Sequence, residues 1–249
     1  MDPQTGNHNL APYSQFNNLT YDPPYVMFSA NQHPTGVNKD SVNNAEVAGC
    51  FGWSLATWDL REQVNVTAEF VPPEVDEFER AGLEKVWSQV LPVKTPLVQR
   101  SPVRFECVYH STIKLPGNPP MGTVSIVIGR VVAVHVEDWA LTDGKIDIRK
   151  TKPIARCGYY EYAVVENTFE MIIPGMNEAV LAGLEGSSRR TKAALGDGTK
   201  AERDKYKPQS VNTEVQPSSS VEELNVSENN VSEEDSAAVA ILASVTEHI

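Results

Sequence analysis

Three polar stretches near the N-terminus carry the residue types that hold an anion: Asn9-Leu-Ala-Pro-Tyr-Ser-Gln-Phe16, Asp22-Pro-Pro-Tyr-Val-Met-Phe-Ser29 and Asn38-Lys-Asp-Ser41. Seryl hydroxyls and backbone amides donate hydrogen bonds, the start of a helix offers unpaired N–H groups, and Lys39 adds an ammonium; together they can converge on a phosphate. Ser and Asn also form ordinary turns, so the residues alone leave the bland reading open. Other chemistry is harder to find. The sequence has no GxGxxG after a strand, no GxxxxGK[ST] phosphate loop, no HExxH and no GxSxG. The five histidines are scattered. His135 lies inside an apolar run, where a hydrogen-bonded structural role is the expectation; His8 and His33 flank the polar stretches and can face a pocket. Cys50, Cys107 and Cys157 are an odd, widely spaced set that fits neither a disulfide framework nor a CxxC metal site.

These side chains need a scaffold, and the chain is long enough to build one. It has 249 residues, 41% of them hydrophobic, with 33 acidic against 21 basic side chains. A net charge of -12 argues against a general nucleic-acid binder. No apolar run reaches the length of a membrane helix, and Met1–Asn18 lacks the pattern of a signal peptide, so the expected setting is cytoplasmic with reduced thiols. The acid excess is local: Pro208–Ile249 holds eight acidic residues and no Lys or Arg. Arg189–Lys207 reverses the sign, with seven basic residues against three acidic. Residues 186–249 are therefore expected to be a disordered polar and acidic tail, with Ala237–Val245 as a short apolar exception, and 1–185 a single domain.

Within that domain, β-branched and aromatic segments between Pro, Gly and Asn predict a mainly β fold. Strands are expected at Tyr25–Ala30, Phe51–Ala56 and Val124–Val136, with Gly129 as a bend or bulge. The alternation of Val103, Phe105, Cys107 and Tyr109 with Arg104, Glu106, Val108 and His110 predicts a strand with one buried face. Tyr160–Val165 and Thr168–Ile173 read as a closing pair. Helices are expected from Asp40 or Ser41 to Gly49, over Trp58–Val66, and over Glu74–Ala81. Many strands with few short helices suggest a β-barrel.

The three polar stretches resemble the N-terminal blocks of the flavin reductase-like family, flavoredoxin-like proteins that bind FMN in a split barrel. Val64-Asn-Val-Thr67 and Val75-Asp-Glu-Phe78 through Ala81-Gly-Leu83 resemble its middle block. Ser101-Pro-Val-Arg-Phe-Glu-Cys107, Ile128-Gly-Arg-Val-Val-Ala-Val-His135 and Ala155-Arg-Cys-Gly-Tyr-Tyr-Glu-Tyr162 complete the order. The resemblance implies a homodimer that binds FMN near the subunit interface, with NAD(P)H as co-substrate reducing the flavin by hydride transfer. The onward partner would be a flavin-dependent monooxygenase or another electron acceptor. Because the flavin carries that chemistry, no protein acid, base or nucleophile is required.

It further implies that Pro12, Tyr13 and Ser14 run along the flavin and that Ser29 and Ala30 are strand-end contacts. Lys39, Asp40 and Ser41 would lie near the phosphate, and Asn65 and Thr67 in a loop approaching the cofactor or the dimer partner. Arg156, Gly158 and Tyr159 belong to the C-terminal block. Lys39 as a surface charge, Asn65 as a helix C-cap and the tyrosines as core aromatics are the plain alternatives. Two departures stand out: the family's first strand has no counterpart in Met1–His8, which implies an exposed edge, and Ser54 replaces a frequent Asn. An electron carrier without its own NAD(P)H activity, or a degenerate member acting through partners, is the alternative function.

Overall fold

The computed structural model describes residues 5–171; the expected tail at 186–249 lies outside them. The described chain is mainly β. A five-stranded antiparallel sheet is built from β1 (Phe16–Tyr21), β2 (Pro24–Asn31), β3 (Cys50–Ser54), β6 (Val103–Leu115) and β7 (Val124–Val136). The order across it is β1-β2-β7-β6-β3. Between β3 and β6 run α2 (Arg61–Val66), α3 (Glu77–Arg80) and the β4–β5 hairpin (Lys85–Trp87 with Pro96–Val98). After β7 come the small β8–β9 pair (Leu141–Thr142, Lys145–Ile146), α4 (Ile148–Thr151), and the β10–β11 hairpin (Ile154–Gly158, Glu161–Val164).

The alternation along β2 sends Val26, Phe28 and Ala30 to one face, where they are buried, and leaves Tyr25, Met27, Ser29 and Asn31 half-buried on the other. The buried face receives α1 (Asp40–Ala48), whose Val42 and Ala45 pack on Phe28, Ala30 and Val127. Gly49 ends α1 in the left-handed conformation, as the sequence suggests. A neighbouring cluster joins Val26, Cys107 and Val131 to Phe16, Phe51 and Phe105. Gly129 is explained less by bending than by contact: a Cβ there would lie 2.4 Å from the Phe51 ring. The bulge beside Gly129 is on the partner strand, between Tyr109 and Ser111, and β7 carries a second one of its own at Val132, between Val131 and Ala133.

The two edge strands of the sheet meet. Phe16 of β1 stacks on Trp53 of β3 at 4.9 Å, and Trp53 stacks on Phe105 at 4.4 Å. The sheet thus curls until its outer strands face each other, and the described seam between them is made by aromatic rings rather than by ladder hydrogen bonds. Stacked pairs of this kind contribute about 0.5–1.5 kcal/mol each beyond their area.

Several expectations shift in detail. The β1 strand over Phe16–Tyr21 has too many Asn and Thr to announce itself; pairing with β2 creates it. Trp58–Val66 is a 3-10 turn (Trp58–Leu60) followed by α2, not one helix. The third helix is shorter than Glu74–Ala81: it begins after Asp76, whose side chain accepts from the Phe78 amide. The closing pair is β10 with β11; residues 165–171 form no strand, because the partner of 161–164 lies upstream at 154–158. Finally, the first half of β6 is buried on both faces, since Arg104 and Glu106 lie beneath the β4–β5 region.

Candidate functional site

The segment from His8 to Gln15 is a strap laid across the start of α1, held mostly by side chains. Asn9 donates through Nδ2 to the Ser41 hydroxyl at 2.8 Å and accepts from Asn44 Nδ2 at 2.7 Å. The Leu10 amide donates to the buried Glu77 carboxylate at 2.9 Å. His8 meets the Asp76 carboxylate at 3.1 Å, and Lys85 bonds to the same oxygen. The strap then joins the sheet, where the Gln15 carbonyl accepts from the Ser29 amide at 2.9 Å.

Tyr13 is the inward anchor of this strap. Its ring lies 4.8 Å from Phe28 and its hydroxyl shares a hydrogen bond with Ser41. Burial pushes the phenol up to about 12; the bond to Ser41 opposes that, while Asp40 and Glu77 add to it. Tyr13 therefore stays neutral. Ala30 belongs to the same buried face, under α1.

The predicted residues do not all share one surface. Ser29 lies on the opposite face of β2 from Ala30, so their side chains cannot reach one ligand together. Ser14 is exposed beside Ser29 through the Gln15 backbone bond, and Pro12 is half-buried. Neither seryl hydroxyl makes a hydrogen bond among the described residues. Lys39 precedes α1 and lies over the Phe70 ring at 3.6 Å, with His33 on the same ring at 5.3 Å. Burial lowers the Lys39 ammonium from its ordinary value and Asp40 opposes this; His33 is lowered by burial and by Lys39. Lys39 is thus half-buried, not a free surface charge. No side chain caps α1, and the Asp40 and Ser41 amides have no backbone partner.

Asn65 and Thr67 stand at the end of α2. Asn65 is exposed, and its carbonyl accepts from the Thr67 and Ala68 amides. Thr67 is 3% exposed and its hydroxyl donates to the Val64 carbonyl at 3.1 Å. It is already spent on the chain's own backbone. The connection they open reaches the α1 start through Phe70. In the C-terminal block, Arg156 donates to the Tyr159 carbonyl at 3.0 Å within the β10–β11 turn, and Tyr159 is exposed. Ser54 accepts from the Val98 amide at 3.1 Å, which gives it a structural task between β3 and β5.

The sequence reading did not single out Phe70, Asn9 with Asn44, Glu77, or the His8–Asp76–Lys85 cluster as site neighbours. Apart from the short step between Asp76 and Lys85, their partners lie 31 to 77 residues away, so no local spacing marks them. Burial would raise Asp76, but bonds from Lys85, His8 and the Phe78 amide outweigh it and hold the carboxyl low. Glu77 is raised, chiefly by burial, despite the Leu10 amide. His135 fulfils its structural expectation: Nε2 sits 2.7 Å from Glu106, which is 0% exposed.

An uncapped helix start and an adjacent ammonium are donors of a kind that fits a phosphate, whereas the unbonded Ser29 hydroxyl lies on the face of β2 away from α1. The comparisons with known proteins decide the family. The sequence profile of the Flavin reductase like domain matches residues 2–151. The chain belongs to the flavin reductase-like family. Uncharacterized protein BH2278 of Halalkalibacterium halodurans is 34% identical over 170 residues, covering 68% of this chain and 80% of that one. Nitrilotriacetate monooxygenase component B from Bacillus cereus superposes with a TM-score of 0.61 at 33% identity, over 66% of this chain and 79% of that one. A split barrel domain structure from Shewanella frigidimarina superposes at 0.59 with 24% identity, over 70% of this chain and 82% of that one. The architecture is therefore the split barrel, and the chain is a flavin-binding oxidoreductase of this family. Among the described residues no helix is long and apolar enough to cross a membrane, and no cluster of His, Cys, Asp or Glu could hold a metal.

Proposed function

We propose that this flavin reductase-like protein binds FMN and, in the cytoplasm, reduces it with NAD(P)H. The observation that carries the phosphate site is the start of α1. There the free Asp40 and Ser41 amides meet Lys39. Lys39 would hold the phosphate as a point charge, and Phe70 would fix its reach. Asp40 favours the charged form of Lys39. Tyr13, locked between Phe28 and Ser41, would position the strap along which Pro12 and Ser14 approach the cofactor. Ser29 and Ala30 serve different ends, one as an outward hydroxyl and the other as a small residue under α1. Asn65 serves as an outward contact at the cofactor or at a second subunit, and Thr67 only supports its turn.

When bound, the flavin ring supplies the hydride-accepting and electron-donating chemistry. The chain's task is then to bind, orient and shield, which agrees with a site lacking a poised acid–base pair. We further propose a homodimer, and delivery of reduced flavin to a monooxygenase or another electron acceptor. The likeness to a monooxygenase component B supports that direction.

The test is optical. Purified protein reconstituted with FMN should show a flavin absorbance band that NADH or NADPH bleaches. Failure to bind FMN defeats the reading. Bound FMN that dithionite reduces but neither nicotinamide does would instead identify an electron carrier.

A further inference from the structure

A cavity of about 360 Å³ opens between the 3-10 turn Trp58–Leu60, the β5–β6 connection and the 3-10 turn Asp138–Ala140. None of the ten residues assigned to FMN lines it. Its polar side chains are Thr57, Asp59, Gln99, Arg100, Glu137 and Thr151, and Trp139 forms an aromatic wall. The size suits a nucleoside or a monosaccharide.

The chemistry of the lining narrows the ligand. Thr57 is 4% exposed, its hydroxyl does not cap the turn it precedes, and it faces this space. The Asp59 carboxylate makes no hydrogen bond or ion pair among the described residues. Arg100 is held against the wall by a bond from Nη2 to the Asp59 carbonyl at 3.2 Å. Glu137 gives one oxygen to Arg104 and keeps the other. Asp59 and Arg100 are the open charges of the lining, because Glu137 is already paired with Arg104, which does not line the cavity; the balance favours neither an anion nor a cation. Arg100 keeps unused N–H groups, but Asp59 is the charged group of the lining whose side chain has no hydrogen bond or ion pair among the described residues, and it shares the cavity with an indole that is 53% exposed. A carboxylate accepts two hydroxyl hydrogens from a vicinal diol, as acidic side chains do with ribose.

We propose that this cavity binds a neutral vicinal diol with an apolar face. The diol would lie on Asp59, with Thr57 and Glu137 completing its bonds, and the apolar face would lie on Trp139. The ribosyl group of a nucleoside and a free pyranose share this chemistry.

Calorimetric titration of the full chain with adenosine and with methyl β-glucopyranoside tests the assignment and separates the sources. Saturable one-to-one binding of adenosine alone makes the site nucleosidic; binding of the glucoside alone makes it a sugar site; binding of both supports the shared diol. In each case Asp59→Asn and Trp139→Ala should weaken the bound probe by about tenfold, a loss of roughly 1.4 kcal/mol. Trp139→Phe should restore much of it. Absence of binding by either probe at millimolar concentration overturns the proposal. So does binding that is indifferent to Asp59→Asn, a variant of nearly unchanged shape that decides the matter even if Trp139→Ala fails to fold. FMN binding by the same variants is a separate readout, so failure of the flavin reading leaves this result standing.

Discussion

Two polar regions of the barrel treat their charges in opposite ways. Around Glu106 every donor is spoken for. Its carboxylate is 0% exposed and accepts from the Gln89 and Val90 amides at 2.7 and 2.8 Å and from His135 at 2.7 Å. Burial alone would raise this group, yet the bonds win and hold it below the usual range. At the α1 start two backbone amides remain unbonded, and Lys39 has a ring for company instead of a carboxylate; the Ser14 and Ser29 hydroxyls are unbonded too, Ser29 on the other face of β2. A saturated polar group fixes a fold; an unsaturated one is available to a ligand. On this contrast Glu106 pins the 88–95 loop to the barrel, while the α1 start keeps free the donors that the proposed phosphate site requires.

Breaking Glu106 should have the largest effect. Glu106→Ala strands two amides and His135, and should cost about 3 kcal/mol of stability in denaturant unfolding. FMN affinity of the folded fraction should stay unchanged; a loss below about 1 kcal/mol would dissolve the contrast. The acid limb sharpens it. A carboxylate held low when folded stabilises above its unfolded pKa and loses that contribution as pH falls through the folded value. Glu106→Gln should therefore flatten acid unfolding.

At the unsaturated end, Lys39→Ala should weaken FMN by about tenfold, as expected for one lost charge-assisted bond, and riboflavin much less, in fluorescence titrations. Equal weakening of both would remove Lys39 from the phosphate. Tyr13→Phe should cost about 1 kcal/mol in thermal or chemical unfolding, the ordinary value of one hydrogen bond. The smallest effect belongs to Glu77. Its folded pKa is raised, so its contribution is present at low pH and fades as pH rises through that folded value. Glu77→Gln should keep the bond from Leu10, remove that fade, and leave stability at neutral pH unchanged or slightly higher.

Much of the scaffold was legible because it repeats. β7 reads from its apolar run to the residue, Val124–Val136, and α1 ends at Gly49 as the sequence suggests, although its N-cap is Lys39 rather than Asp40 or Ser41 and no side chain caps it. The order of short blocks sufficed to place the chain in its family. What escaped was written in distant partners. β1 is a strand only because β2 lies beside it, and the polar Asn-Asn-Leu-Thr run gives no period to read. Single-face burial failed at Glu106 because the covering loop arrives from 16 to 17 residues upstream. At the site, the residue types were visible but their faces were not. Ser29 and Ala30 are neighbours in sequence and opposites in space, and Lys39 meets Phe70 by a contact no motif encodes.

The Phe16–Trp53 contact has a mechanical consequence. A cylinder sealed by ladders has its girth dictated by strand number and stagger. Here one stretch of the circumference is set by the thickness of two rings, which can slide without any backbone pair having to break. The bulk of the residues at 16 and 53 therefore works as a spacer, and trimming either one would let the hoop tighten or gape while the remaining strands keep their alignment.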